Sequence, residues 1–180
     1  MTDLYKLDVF SPERYNGSDR RAGYESYNHE GLQISDFTQD NLVNSYTQDF
    51  YNGVIESVEI RMINKPSPSH PGGTTIWRWD QFEEYLVLKI KDFIDALEDI
   101  GIPKPYYIFT TLLNAKGMSF VYGEWGSPTS GGPLKSKIIK IVPAYFSDDT
   151  TLSQALLPMI TNLAHVFGFK YSSLYNQKEN

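Results

Sequence analysis

Two glutamates three residues apart, Glu56 and Glu59, are the residues whose type and spacing best fit a catalytic site. Metal-dependent nucleases combine strand carboxylates, which hold the metal, with a nearby lysine, and here Lys65 follows. Side chains of a regular strand alternate between faces, so the two glutamates would converge only through a β-bulge. A nuclease or nucleotide-linked enzyme that uses Glu56 and Glu59 is therefore an alternative interpretation, and not the leading one.

Glu56 also stands out because of its neighbours. Residues 54–62 read Val-Ile-Glu-Ser-Val-Glu-Ile-Arg-Met, so a strand here places Glu56 on one face with Val54 and Val58. A covered carboxylate must be paired, hydrogen-bonded or protonated. The pattern predicts a covered Glu56 bound to backbone amides or to a Tyr or Arg. It also predicts that Glu56→Ala melts at a lower temperature than Glu59→Ala.

Residues outside this strand are candidates for contact with a ligand or a partner. Trp77 and Trp79 flank Arg78 just before a predicted helix, where they could stack on a base or anchor the core. The predicted contact set is Asn52, Glu56, Trp77, Trp79 and Lys116.

Lys135, Lys137 and Lys140 are the residues that would carry nucleic-acid binding, as a local basic patch. The net charge of the 180 residues is −6. Residues 1–64 have 11 acidic and 5 basic side chains, whereas residues 65–180 have 11 of each. Because such a surface repels phosphates, nucleic-acid binding is disfavoured as the general function.

Several classes of site are excluded by residue type. The chain has no cysteine, and His29, His70 and His165 lack the spacing of metal ligands. The Gly-rich segment 126–136 contains Pro133 and precedes a strand, whereas a phosphate loop runs directly into a helix. We predict no cofactor and no metal, and the balance leans against an enzyme.

The chain shows neither a signal peptide nor an apolar run long enough to span a membrane. We expect a cytoplasmic protein without membrane partners.

The elements that must position these residues follow from periodicity and turn signals. Helices are predicted at 80–100, with Asp80 and Glu83 as a capping box and Gly101 as the stop, and at 152–167, with Gly168 after it and Pro158 inside. Strands are predicted within 42–63, broken at Asn52-Gly53, at 106–113 as a buried central strand, at 118–122 as its neighbour across Lys116-Gly117, and at 137–146.

These elements predict a single α+β domain with a mixed sheet of about five strands packed by two main helices, α/β being the alternative. We expect an extended or loop-rich acidic and aromatic arm at 1–31, the domain at 32–175 and a disordered tail at 176–180. The Pro/Gly-rich segment 65–73 is predicted as a loop.

Three blocks of the chain, at 46–58, at 105–118 and at 156–159 with Phe167-Gly-Phe169, occur in the same order in a known family. They resemble the carboxy-terminal region of bacterial ATP-binding or DNA-binding proteins that carry a Schlafen AlbA-type domain. The similarity covers about residues 27–175, and Asn52-Gly53, Glu56 and Lys116-Gly117 align with family residues. The Schlafen-type domain would lie upstream of these blocks, and the resemblance implies either a stand-alone relative or a subunit that works beside an enzyme.

The resemblance implies an accessory sensing or interaction domain in bacterial regulation or phage defence, and it transfers no catalytic residue. The leading prediction is therefore a non-enzymatic module that binds a protein partner or a small ligand, through the 65–73 loop and the aromatic arm.

Overall fold

The computed structural model describes residues 24–37, 43–59, 76–122, 129–130 and 133–172. Within them lie two helices and several mainly antiparallel sheets, which confirms the predicted α+β class. The chain divides into two compact units, one of residues 1–62 with 92–103 and one of residues 63–91 with 104–180. The predictions for residues 1–23, the 65–73 loop, the segment 123–128 and the tail fall outside the described residues.

The first unit contains a four-stranded antiparallel meander. Its strands are β1 (Tyr24–Tyr27), β2 (Gly31–Phe37), β3 (Val43–Phe50) and β4 (Ile55–Glu59), in that spatial order. The predicted break at Asn52-Gly53 is confirmed as the β3–β4 turn, where Gly53 has a φ of +84° and the Asn52 side chain accepts from the Val54 N–H. Strand β1 lies within the predicted arm 1–31 and pairs with β2.

The β1–β2 turn is fixed by side-chain hydrogen bonds. Asn28 Oδ1 accepts from the N–H groups of Glu30 and Gly31, and Asn28 Nδ2 donates to Gln48 Oε1 on β3. Position 31 accepts only glycine, because the Cβ of any other residue would lie 1.7 Å from the carbonyl oxygen of Asp49. The turn is thereby tied to the third strand.

Helix α1 spans Trp79–Asp99, close to the predicted 80–100. Its end is a Schellman motif, because Gly101 at φ +78° donates to Glu98 O and Ile102 donates to Leu97 O. The predicted capping box is wrong. The helix already starts at Trp79, so Asp80 lies inside the helix and not at its N-cap, and Glu83 is fully buried.

In the second unit, the segments predicted as strands at 106–113 and 137–146 pair with each other. Strand β6 (Tyr106–Ile108) pairs with β11 (Ala144–Phe146), and β7 (Thr111–Leu113) pairs with β10 (Ile138–Lys140), all antiparallel. Bonds from Ala115 N–H to Lys137 O and from Gly117 N–H to Leu134 O extend the pairing. We call residues 106–118 with 134–146 the ribbon. The prediction of a buried central strand at 106–113 is wrong, because in the described sheets its partners lie on one side only.

A β-bulge interrupts the ribbon. Between the pairs Thr111–Lys140 and Ile108–Ala144, three residues of the second strand, 141–143, oppose two of the first. Pro143 has no N–H to offer, and the N–H of Val142 donates to Asn162 Oδ1 at 3.1 Å. The bulge thus ends one ladder and starts the next, without leaving the Val142 amide unsatisfied.

Helix α2 (Leu152–Val166) packs on β11 and carries the core of this unit. It begins with a Thr151–Gln154 capping box, continues through Pro158 and ends in a second Schellman motif at Gly168, φ +80°. Leu156, Met159, Ile160 and Leu163 are completely buried. Trp79 is also fully buried, with its ring 5.9 Å from Phe167 and 5.4 Å from Phe169.

The remaining strands form a mixed three-stranded sheet. Strand β8 (Ser119–Tyr122) pairs in parallel with β5 (Ile76–Arg78) and antiparallel with β9 (Thr129–Ser130). The predicted pairing of 118–122 with 106–113 is therefore wrong. Strand 106–113 pairs instead with 138–146, so the described strands are distributed over four sheets, only one of which is mixed.

Asp49 on β3 is a buried carboxylate, 5% exposed. Its backbone pairs with Leu32 and Ile55, and burial raises the pKa of its side chain from 3.8 to about 6. The folded state therefore favours the protonated acid. Since the folded pKa is above the unfolded one, this group makes no unfavourable contribution below about pH 4, whereas its ionisation destabilises the fold as pH rises towards 6 and above.

We predict that Asp49→Asn raises the free energy of unfolding at pH 7, by up to about 3 kcal/mol, and changes it little at pH 4. Denaturant titrations at both pH values measure this difference. Glu25→Gln, an exposed carboxylate on β1, is the matched control and should show no such pH-dependent gain. Equal destabilisation by Asp49→Asn at both pH values would contradict the prediction.

Candidate functional site

One face of the ribbon points away from the buried core. Side chains alternate along a strand, so Tyr107, Phe109, Thr111 and Leu113 share a side of the first strand. On the second strand the bulge shifts the alternation, and the exposed residues on this side are Ile138 and Lys140 before the bulge, Val142 within it and Tyr145 after it. We call these eight residues the outer ribbon face.

The outer ribbon face is largely apolar. Its six aromatic and aliphatic side chains are between 47% exposed, for Val142, and 74% exposed, for Phe109. Leu113 pairs directly with Ile138, and Tyr107 pairs with Tyr145, with ring centroids 5.1 Å apart. From Tyr107 to Leu113 the strand runs roughly 20 Å, at about 3.3 Å per residue. The exposed apolar side chains therefore lie along one strip of this length, with the Thr111–Lys140 pair between its two ends.

The opposite face of the ribbon is covered. Tyr106, Ile141, Ala144 and Phe146 are buried, and Thr110 Oγ1 donates to the Sδ of buried Met159 on α2 at 3.4 Å. Helix α2 thus covers the apolar side chains of the inner face. No described element has an equivalent place on the outer face, where the side chains remain exposed.

Three of the four lysines predicted as candidates, Lys116, Lys135 and Lys137, lie at one end of the ribbon, which we call the basic end. The Ala115–Lys137 and Gly117–Leu134 backbone bonds place Lys116 beside Lys135 and Lys137, and Lys140 pairs with Thr111 on the outer ribbon face. All four lysines are exposed. Segments 111–118 and 133–140 contain no Asp or Glu. The structure therefore brings Lys116 of the predicted contact set together with Lys135 and Lys137 of the predicted nucleic-acid set.

The other end of the ribbon has acidic residues. Asp148 and Asp149 follow β11 in a turn closed by bonds between Ser147 and Thr150. Both aspartates are exposed, and Asp148 lies 3.8 Å from Lys104 Nζ, which packs over the Phe146 ring. We call Asp148 and Asp149 the acidic end.

The prediction of a covered Glu56 is wrong. Glu56 is exposed, as is Val54 on the same face, so the parity of the strand is as predicted but the face is not buried. Strand β4 is the last strand of its sheet, and no described layer covers this face. The Tyr46 hydroxyl donates to Glu56 Oε1 at 2.5 Å, and this bond is the largest of the causes that raise the pKa of Tyr46 to about 12.

Glu56 and Glu59 do not form one site. The β3–β4 pairing keeps a constant register from Ile55 to Glu59, so the two side chains point to opposite faces. Across the part of the chain that the structure describes, no three His, Cys, Asp or Glu side chains are grouped as metal ligands.

The other predicted contact residues have separate positions. Asn52 is exposed and holds the β3–β4 turn. Trp77 lies in β5, and its side chain is outside the described set. Trp79 belongs to the core, so its prediction as a contact residue is wrong. Of the predicted contact set, Lys116 alone lies at the ribbon.

The sequence did not identify the outer ribbon face, because an apolar strand is normally read as buried on both sides. Residues 106–109 and 112–113 are apolar at odd and even positions alike. A signal was nevertheless present. Two predicted helices cannot cover both faces of every strand, so some apolar face had to remain exposed or be covered by a partner.

We predict that Glu56→Gln lowers the pKa of Tyr46 from about 12 towards its ordinary value of 10, because the hydroxyl loses its charged acceptor. Tyrosine ring NMR shifts followed against pH measure this change. Glu56→Ala should change the free energy of unfolding by less than about 1 kcal/mol, as expected for an exposed hydrogen bond. Glu59→Ala, on the half-buried neighbour, should cost at least as much. A larger loss of unfolding free energy for Glu56→Ala than for Glu59→Ala would instead support the prediction that Glu56 is covered.

Comparisons with known proteins assign no family. No protein-family model and no solved structure matches the chain, so the Schlafen-type resemblance stays a prediction. A stretch of 64 residues is 33% identical to membrane protein insertase YidC of Coxiella burnetii, strains RSA 331 and RSA 493 among them. The match covers 36% of this chain and 11% of the insertase, about a tenth of that protein's length. Among the described helices, none has the length and apolar character needed to cross a membrane.

Proposed function

We propose that this chain is a non-enzymatic interaction module, and that the outer ribbon face is its protein-contact surface. The observation that carries the proposal is the strip of six exposed large apolar side chains along one folded ribbon. Scattered exposed apolar residues are ordinary, whereas a contiguous strip rimmed by charges is typical of a protein-binding surface.

The energetics support a partner. Each Å² of apolar surface removed from water contributes roughly 25 cal/mol, so covering even half of this strip is worth several kcal/mol before the cost of association. Phe109 and Tyr107 are the most exposed members, and aromatic side chains often dominate binding energy at interfaces. The inner face of the ribbon is packed against α2, which fixes the ribbon backbone and limits the conformational entropy lost when a partner binds.

An enzyme using Glu56 has less support. The carboxylate is exposed and bound to Tyr46, and Glu59 points to the opposite face. The resemblance to Schlafen-associated proteins adds a setting to the proposal: a cytoplasmic accessory domain in bacterial regulation or phage defence.

The test places a photo-cross-linking amino acid at Phe109 in the protein produced in its own host cells. A protein adduct is expected at this position, and it should weaken at least several-fold when Leu113→Ser and Ile138→Ser are added, since these remove the neighbouring apolar surface. Leu157, an exposed leucine on α2, is the matched control position and should give no adduct that responds to the two substitutions.

Both substitutions should leave the melting temperature nearly unchanged, because the replaced side chains are already exposed. Absence of an adduct at Phe109, or adducts of equal yield at Phe109 and Leu157, would contradict the proposal.

Nucleic-acid binding is the second candidate, and the observation that favours it is the basic end, where exposed Lys116, Lys135 and Lys137 lie in segments without Asp or Glu. The net charge of −6 opposes it. We predict that duplex DNA binds at physiological salt with a Kd of about 10⁻⁴ M or weaker. Fluorescence anisotropy measures this affinity. Tight binding that is lost in Lys135→Glu Lys137→Glu Lys140→Glu would favour the second candidate over the first.

A further inference from the structure

We propose that the partner on the outer ribbon face is a second copy of this chain, docked antiparallel to the first about a two-fold axis. This inference rests on the proposed function of that face. It follows from the order of side chains along the ribbon. When two copies of this order meet in opposite directions, the side chains that face each other are complementary.

The apolar part of the face is matched to itself. From the basic end, the cross-strand positions are Leu113 with Ile138, Thr111 with Lys140, Phe109 with Val142 at the bulge, and Tyr107 with Tyr145. When two copies meet in opposite directions, the Leu113–Ile138 pair of one faces the Tyr107–Tyr145 pair of the other. A large apolar pair thus packs on a large apolar pair at both ends.

The central positions are also complementary. In the antiparallel arrangement, the Thr111–Lys140 pair of one copy faces the Phe109–Val142 position of the other. The small Thr111 leaves room for the Phe109 ring, and the Lys140 ammonium lies within reach of that ring as a cation–π partner. A parallel arrangement would instead place the Thr111–Lys140 pairs of the two copies at the same level and bring the two basic ends together.

The charged ends match in the same direction. The basic end, with Lys116, Lys135 and Lys137, would meet the acidic end of the second copy, with Asp148 and Asp149. A two-fold interface repeats each contact, so the charge pairing occurs twice. Asp148 is 87% exposed at its side chain, and its ion pair with Lys104 at 3.8 Å leaves Asp149 to contribute further negative charge.

The size of the face predicts how tightly the copies bind. Eight face residues and the charged ends fall below the 20–30 residues per partner of a standard interface. We therefore expect a weak, salt-sensitive dimer with a Kd on the order of micromolar to hundreds of micromolar.

Sedimentation velocity over a range of concentrations at low and high salt tests the proposal. The wild-type chain should shift from monomer to dimer as concentration rises, and high salt should weaken the dimer. A basic-end variant, Lys135→Glu Lys137→Glu, and an acidic-end variant, Asp148→Lys Asp149→Lys, should each raise the Kd at least tenfold, because like charges then face each other. Glu84→Lys, an exposed charge reversal on α1, should leave it unchanged.

Mixing the two charge-reversed variants is the decisive measurement. One copy is then acidic at both ends and the other basic at both ends, so a heterodimer should form where neither variant dimerises alone. A mixture that stays monomeric would overturn the antiparallel arrangement. A Phe109→Ser Leu113→Ser variant that dimerises with the wild-type Kd would overturn it as well.

The same samples separate this inference from the proposed function. A wild-type chain that stays monomeric throughout overturns the second copy as partner. If the Phe109 cross-linker then captures a protein of different mass, the interaction surface stands with another occupant. If instead a single-stranded oligonucleotide binds and the basic-end variant loses it, the occupant is nucleic acid.

Discussion

The second unit depends on the way in which the β-bulge at 141–143 is held against α2. Pro143 cannot donate to a ladder, and the Val142 N–H is satisfied by Asn162 on the helix. This arrangement shifts the alternation of the second strand by one residue. Ile141, Ala144 and Phe146 therefore all reach the buried side, although they do not share a single period of two. The outer ribbon face is the other consequence of the same shift, since it places Ile138, Lys140, Val142 and Tyr145 together in solvent.

Local signals in the sequence predicted local structure well. Gly101 and Gly168 mark helix ends because the left-handed conformation after a helix favours glycine, and both positions prove to be Schellman motifs. Asn52-Gly53 likewise predicts its turn. Each of these depends on a few neighbouring residues, so the sequence contains nearly all the relevant information.

Pairing and coverage are non-local, and there the predictions fail. Nothing close to residues 118–122 in the chain indicates that they pair with β5 in parallel, because that partner lies more than forty residues away. Glu56 illustrates the second difficulty. Alternation correctly identifies which residues share its face, but whether a face is buried depends on what packs against it, and both Glu56 and Val54 are exposed. Glu83 shows the converse, a carboxylate predicted at a solvated helix start and found fully buried.

A stable fold that keeps an apolar strip in solvent must also limit uncontrolled association. Exposed flat strands with apolar side chains are templates for aggregation, and charged residues on them reduce that hazard. Lys140 occupies the middle of the outer ribbon face, and the lysines and aspartates at its two ends favour one direction of approach while opposing others. The charges therefore act mainly on specificity. They weaken every alignment that brings like-charged ends together, and they leave the apolar side chains available to a partner whose charges are complementary.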